Sequence, residues 1–153
     1  MNPPVDDFPT RLTIPSRLAT RVTALLVFLV ALDLVLAIVA VFFPNLWAAV
    51  MHGEDVFVDP HHMLTRLGAV WFSFLVIQSV ALFRWRLAPE WLAVVAGARG
   101  SEMCADALYW AQSDHLTWFG HLGLLSSPLA NIAFGLILLG AYRKIVGRVT
   151  LNS

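Results

Sequence analysis

Three ionisable residues, Arg99, Glu102 and Asp106, follow one another at steps of three and four inside the otherwise apolar stretch 89–112. On an α-helix that spacing stacks all three on one face. A charged group at mid-bilayer costs about 2.5 to 3.5 kcal/mol unless partnered, so in a membrane this face must look into a protein interior. The chemistry open to it is ion pairing, proton exchange at a carboxylate, or recognition of a polar or cationic ligand. Other segments must supply the partners.

Composition sets the class of those segments. Of 153 residues, 59% are hydrophobic and 13% charged, and the mean hydropathy is +0.74. These values point to an integral membrane protein. Four apolar segments, about 21–43, 63–83, 89–111 and 117–142, each approach the roughly 20 residues that a spanning helix needs. The expected fold is all-α, an integral membrane four-helix bundle forming a single domain over 1–153. The first segment is too long for a signal-peptide core and is expected to remain as an uncleaved span. A net charge of +0 and the absence of a basic run interleaved with aromatics argue against nucleic acid. Cys104 is the single cysteine, which excludes an intrachain disulfide and a dithiol redox mechanism. It falls on the side of its helix away from the charged stripe.

Orientation follows from lysine and arginine. Arg11, Arg17 and Arg21 precede the first segment, Arg84 and Arg86 follow the second, and Arg143, Lys144 and Arg148 follow the fourth. Both termini are therefore expected in the cytoplasm, in a bacterial inner membrane, with the first and third connections outside. Trp47, Trp85, Trp91, Trp110 and Trp118 fall near predicted helix ends, as an aromatic belt would. Asp59 and Pro60 predict a helix start at His61, Pro89 and Glu90 predict the next, and Ser113 or Asp114 is a candidate cap for the last. Residues 45–52 read as a short interfacial helix ended by Gly53. Pro128 is expected to kink the fourth helix.

Depth along each helix, at about 1.5 Å per residue, groups the polar residues into layers. Arg66, Asp106 and His121 share an outer layer, and Asp33, Arg99 and Glu102 a deeper one. The expected pairings are Arg66 with Asp106 and Arg99 with Asp33, leaving Glu102 to share an arginine, take a proton, or meet protonated His121. Asn131 lies on an arc with Thr117, His121, Pro128 and Gly135, and Ala37 and Ala40 would let another helix approach Asp33 closely. The expected ligand pocket is Asp33, Arg66, Arg99, Glu102, Asp106, His121 and Asn131. In an enzyme, Glu102, Asp106 and His121 would be its acid/base groups. The same residues also suit plain interhelical glue, since acids and bases nearly cancel.

All five histidines belong to the outer half. His52, His61, His62 and His115, with Glu54, Asp55 and Asp59, offer imidazole and carboxylate ligands for zinc or copper, although no HExxH motif is present. His62 and His121 stand at depths compatible with a b-type haem. Neither a metal nor a haem is the principal expectation.

Phe42 and Pro44 at the end of the first segment, Arg66 to Ala69 as Arg-Leu-Gly-Ala, and an arginine inside the third segment resemble small DoxX-like four-helix bacterial membrane proteins. The resemblance implies a four-helix bundle and no particular activity. The function expected from the residues is a small membrane binding or accessory subunit of a larger complex, or a homo-oligomer. Its outer-side charged pocket would hold a lipid-like or quinone-like ligand. The alternatives are a membrane enzyme acting on an amphipathic substrate by carboxylate acid/base catalysis, and a metal or haem protein.

Overall fold

The structure, a computed structural model, describes residues 14–54 and 62–149. Among them are five α-helices and no strand: α1 Ser16–Phe42, α2 Pro44–His52, α3 Met63–Arg84, α4 Glu90–Gln112 and α5 Trp118–Val149. Two helices outrun their expected bounds, α1 beginning at Ser16 and α5 ending at Val149. Exposed Arg17, Arg143 and Lys144 occupy the extra turns, where long side chains suit a helix and reach away from apolar surroundings. Three helices, α1, α3 and Trp118–Gly147 of α5, are long and apolar enough to cross a membrane. With 23 residues α4 matches them in length, but Arg99, Glu102 and Asp106 lower its apolar content.

The buried face of α1 runs Val22, Leu26, Leu29, Asp33, Ala37, Ala40, a regular three- and four-residue stripe. It packs on α3, while α4 packs on α5. Small residues permit both approaches. A Cβ on Gly68 would lie 2.6 Å from Val41 Cγ2, 3.2 Å from Ala40 Cβ and 3.3 Å from Ala37 O, and one on Gly135 would lie 3.6 Å from Ala96 O. The two pairs join through an apolar core of Val22, Leu26 and Leu29 of α1, Ala81 and Trp85 around the end of α3, Leu92 and Val95 of α4, and Leu138 and Ala141 of α5. Trp85 is 1% exposed and belongs to that core rather than to an aromatic belt. At the other end a smaller cluster, Ala37, Ala40, Leu64 and Trp71, holds α1 to α3, with Trp47 of α2 packed against it.

Connections at this second end are stitched by polar contacts. The C-cap of α2 is Gly53 at φ +73°, as the sequence predicts, in the left-handed region that glycine enters freely. The cap of α5 is Thr117 rather than Ser113 or Asp114: its Oγ1 accepts from Gly120 N–H at 2.9 Å. The same hydroxyl donates to Val50 O at 2.5 Å, and Thr117 N–H donates to Met51 O at 2.9 Å, so α2 is tied to the start of α5. Ser113 instead donates to Tyr109 O at 2.7 Å within α4. The first helical residue of α3 is Met63, with His62 before it at φ +52°. The expected start at His61, with Asp59 and Pro60, lies outside the described residues. Pro89 precedes α4 with Glu90 in the first turn, and α5 continues as a helix through Pro128.

Candidate functional site

Arg99, 1% exposed, is the hub of the polar layer. One guanidinium nitrogen, Nη2, donates to Asp33 Oδ2 of α1. The other, Nη1, donates to Glu102 Oε2 at 2.6 Å one turn along α4, and at 3.4 Å to Asn131 Oδ1 of α5. Its carbon also sits 5.9 Å from the Phe74 ring centroid. The expected pairing of Arg99 with Asp33 is thus present, and Glu102 shares the arginine. Each carboxylate has a second donor from α3: Gln78 Nε2 reaches Asp33 Oδ2, and Trp71 Nε1 reaches Glu102 Oε1 at 2.8 Å. A charge that costs this much to bury is being held by four helices at once.

From Asn131 the network runs on toward Asp106. Asn131 Nδ2 donates to Ser127 Oγ at 3.2 Å, and Ser127 Oγ–H donates to Asp106 Oδ2. Asp106 therefore faces a hydroxyl, and the expected partner Arg66 is exposed on α3. The reason is azimuth. Arg66 shares the depth of Asp106 but lies five residues before Trp71, about 140° around α3 at roughly 100° per residue. His121 is likewise exposed and accepts the Trp110 indole N–H at Nδ1, 3.2 Å away. It stands ten residues before Asn131, about 80° off the inward line. Of the seven residues expected to share one pocket, five (Asp33, Arg99, Glu102, Asp106 and Asn131) form one connected network, and Arg66 and His121 do not join it.

Between the helix pairs at this end lies a cavity of about 580 Å³. Leu64, Leu67 and Val70 of α3 and Leu124 of α5 give it apolar walls, Trp47, Trp71, Phe74 and Tyr109 give it rings, and Glu102 and Asp106 give it two carboxylates. Its volume falls within the range that holds a small ligand. His52 borders it and is fixed at both nitrogens: Nδ1–H donates to His115 O at 2.6 Å, and Tyr109 O–H donates to Nε2 at 2.5 Å.

The histidine ligand set expected for a metal is dispersed or occupied in this way. His62 and His115 are exposed, His61 lies outside the described residues, and His115 meets His52 through its backbone carbonyl. No group of three or more His, Cys, Asp or Glu side chains among the described residues is placed to hold a metal ion. Cys104 is exposed, away from the stripe.

Four participants escaped the sequence reading: Trp71, Phe74, Gln78 and Ser127. A signal existed for Gln78, the amide in the middle of an apolar segment on the same arc as Leu64 and Trp71. No protein-family model, curated protein or solved structure matches the chain.

Proposed function

We propose that this chain is a small integral membrane binding protein, an accessory subunit whose four long helices all cross a bacterial inner membrane with both termini in the cytoplasm. Its cavity holds one lipid-like or quinone-like molecule, entered from the outer half. The observation that carries the reading is the cavity itself, apolar walls closing on Glu102 and Asp106 beside a buried, four-helix polar network. Such a site is concave, mostly apolar and fitted with a few convergent polar groups, the pattern of ligand pockets generally.

A crossing by α4 is supported by the burial of Arg99 and Glu102, which removes its most expensive groups from any lipid-facing surface. The lysine and arginine distribution supports the orientation. The accessory role draws on the outward surface of α4, where Gly97 and Cys104 are exposed and small enough for another helix to lie close.

The test is extraction in native lipid nanodiscs followed by native mass spectrometry. One amphiphile per chain, absent from a Leu67→Trp variant that fills the cavity, is the expected result. Recovery of the wild type with no bound molecule overturns the binding reading. Cys104 reports on the partner: labelling by a lipid-permeant maleimide is expected to be slower in native membranes than in the purified chain in nanodiscs, and equal rates refute docking on that face. For orientation, in a Cys104→Ala background, an impermeant maleimide is expected to label Asp114→Cys but not Arg86→Cys in intact spheroplasts. The reverse pattern overturns the topology.

A further inference from the structure

Resting on that reading, we propose that the occupant is a cationic amphiphile, whose ammonium head seats at Asp106 between the rings of Trp47, Trp71 and Tyr109. The polar network contains three carboxylates, Asp33, Glu102 and Asp106, and one guanidinium. Arg99 spends Nη2 on Asp33 and Nη1 on Glu102 and Asn131. Asp106 receives the neutral hydroxyl of Ser127, and among the described residues it has no cation within ion-pair distance. The groups that would have balanced it, Arg66 and His121, are exposed away from the network.

The excess of carboxyl groups over guanidinium is therefore not distributed through the bundle. It faces the cavity, because Glu102 and Asp106 are the two carboxylates that line it, and Asp33 lies beyond Arg99 on the far side. An opposite charge brought there by a ligand meets little competition from water and gains accordingly. Trp47, Trp71 and Tyr109 border the same space and give it aromatic surface of the kind that attracts ammonium groups, while the Phe74 ring already has the Arg99 guanidinium beside it. Leu64, Leu67, Val70 and Leu124 complete the lining with surface suited to an alkyl chain. A cationic head on an apolar tail matches both parts of the cavity, whereas a neutral quinone head brings no counter-charge and Asp106 would have to take up a proton.

The test uses full-length protein in zwitterionic nanodiscs doped with dodecyltrimethylammonium or with dodecanol, two probes of one chain length differing in head charge. Apparent affinity is read from the rise of Tm with probe mole fraction. The cation is expected to bind about tenfold or more tightly than the alcohol. Asp106→Asn is expected to bring the cation down to the level of the alcohol while leaving the alcohol unchanged, and Ser127→Ala, which keeps the carboxylate, to preserve the preference. Equal affinities in the wild type overturn the inference about charge and leave the binding reading standing. A Tm unmoved by either probe overturns the binding reading itself. Where Asp106→Asn does not fold, the wild-type ratio together with Ser127→Ala decides.

Discussion

The two ends of the bundle are built on different terms. At the end formed by the start of α1 and the close of α5, all four long helices share one apolar core, with Leu26, Leu29, Leu92 and Leu138 at 0% exposure. At the other end the buried apolar cluster is drawn from α1 and α3, with Trp47 of α2 against it, and does not extend to α4 or α5. There the pairs are held together by hydrogen bonds, through Arg99, Trp71 and Asn131 across the middle and Thr117 and His52 at the rim. Lipid tails are as apolar as leucine, so helices in a bilayer gain from dense packing and polar contacts rather than from leaving water. One end takes the first of these routes and the other takes the second. Only the second leaves room for a molecule that is not protein.

That contrast is broken most directly at Arg99. Removing it by Arg99→Ala leaves Asp33 and Glu102 buried with no arginine, a loss expected to cost about 3 to 5 kcal/mol by analogy with other broken buried pairs. Unfolding in bicelles by sodium dodecyl sulfate measures it. Charge reversal sharpens the result: Asp33→Arg with Arg99→Asp is expected to recover part of the expression lost by either change alone, since the pair is re-formed while Glu102 loses its arginine one turn away and keeps only the Trp71 indole. No recovery, with insertion verified, removes Asp33–Arg99 as the central bond.

The next contrast compares leucines. Leu26→Ala at the dense end opens a void that four helices border, costing about 2 kcal/mol or more, the low end of the usual range because lipid is itself apolar. Leu67→Ala enlarges a space that already exists and is expected to cost less than about 1 kcal/mol. Equal losses in the same unfolding assay would mean that the cavity is packed shut in the membrane.

How far the sequence disclosed all this depends on which coordinate is asked for. Helix positions were legible because apolar runs and the caps at Gly53 and Pro89 are local, and the Arg99–Asp33 bond was legible because depth along a helix is simple arithmetic. Azimuth was not carried through. Arg66 and His121 have the right depth and the wrong direction, so the sequence predicts an almost balanced pocket where the structure joins three carboxyl groups to one guanidinium. Gln78 shows that direction was available, since it shares an arc with Leu64 and Trp71. The cavity is different in kind: it arises because α1 with α3 and α4 with α5 pack well within pairs and sparingly between them, and no local residue pattern records a contact that two distant segments fail to make.

Gly68 tests whether pair formation at the open end rests on close approach. A methyl group there would sit 2.6 Å from Val41 Cγ2, whose rotation can relieve part of the clash, and 3.3 Å from Ala37 O, which is backbone and cannot move alone. Gly68→Ala is therefore expected to cost about 1 to 3 kcal/mol by overpacking, offset in part by the better helix propensity of alanine. Since Leu64 and Trp71 are carried on the same helix, a shift of α3 also reshapes the cavity, and the probe affinities should change with stability.

The smallest effect is expected at the rim. Thr117 does two things with one hydroxyl, capping α5 through Gly120 N–H and holding the end of α2 through Val50 O. Thr117→Ala removes both and is expected to cost about 1 kcal/mol, a typical loss for a cap. Thr117→Ser keeps the hydroxyl and should restore nearly all of it. The informative reading is hydrogen exchange at 45–52: because Thr117 N–H still donates to Met51 O, α2 should exchange faster without detaching. Detachment of α2 on loss of one hydroxyl would mean that the open end has no packing to fall back on, and that the rim alone determines whether Trp47 borders the cavity.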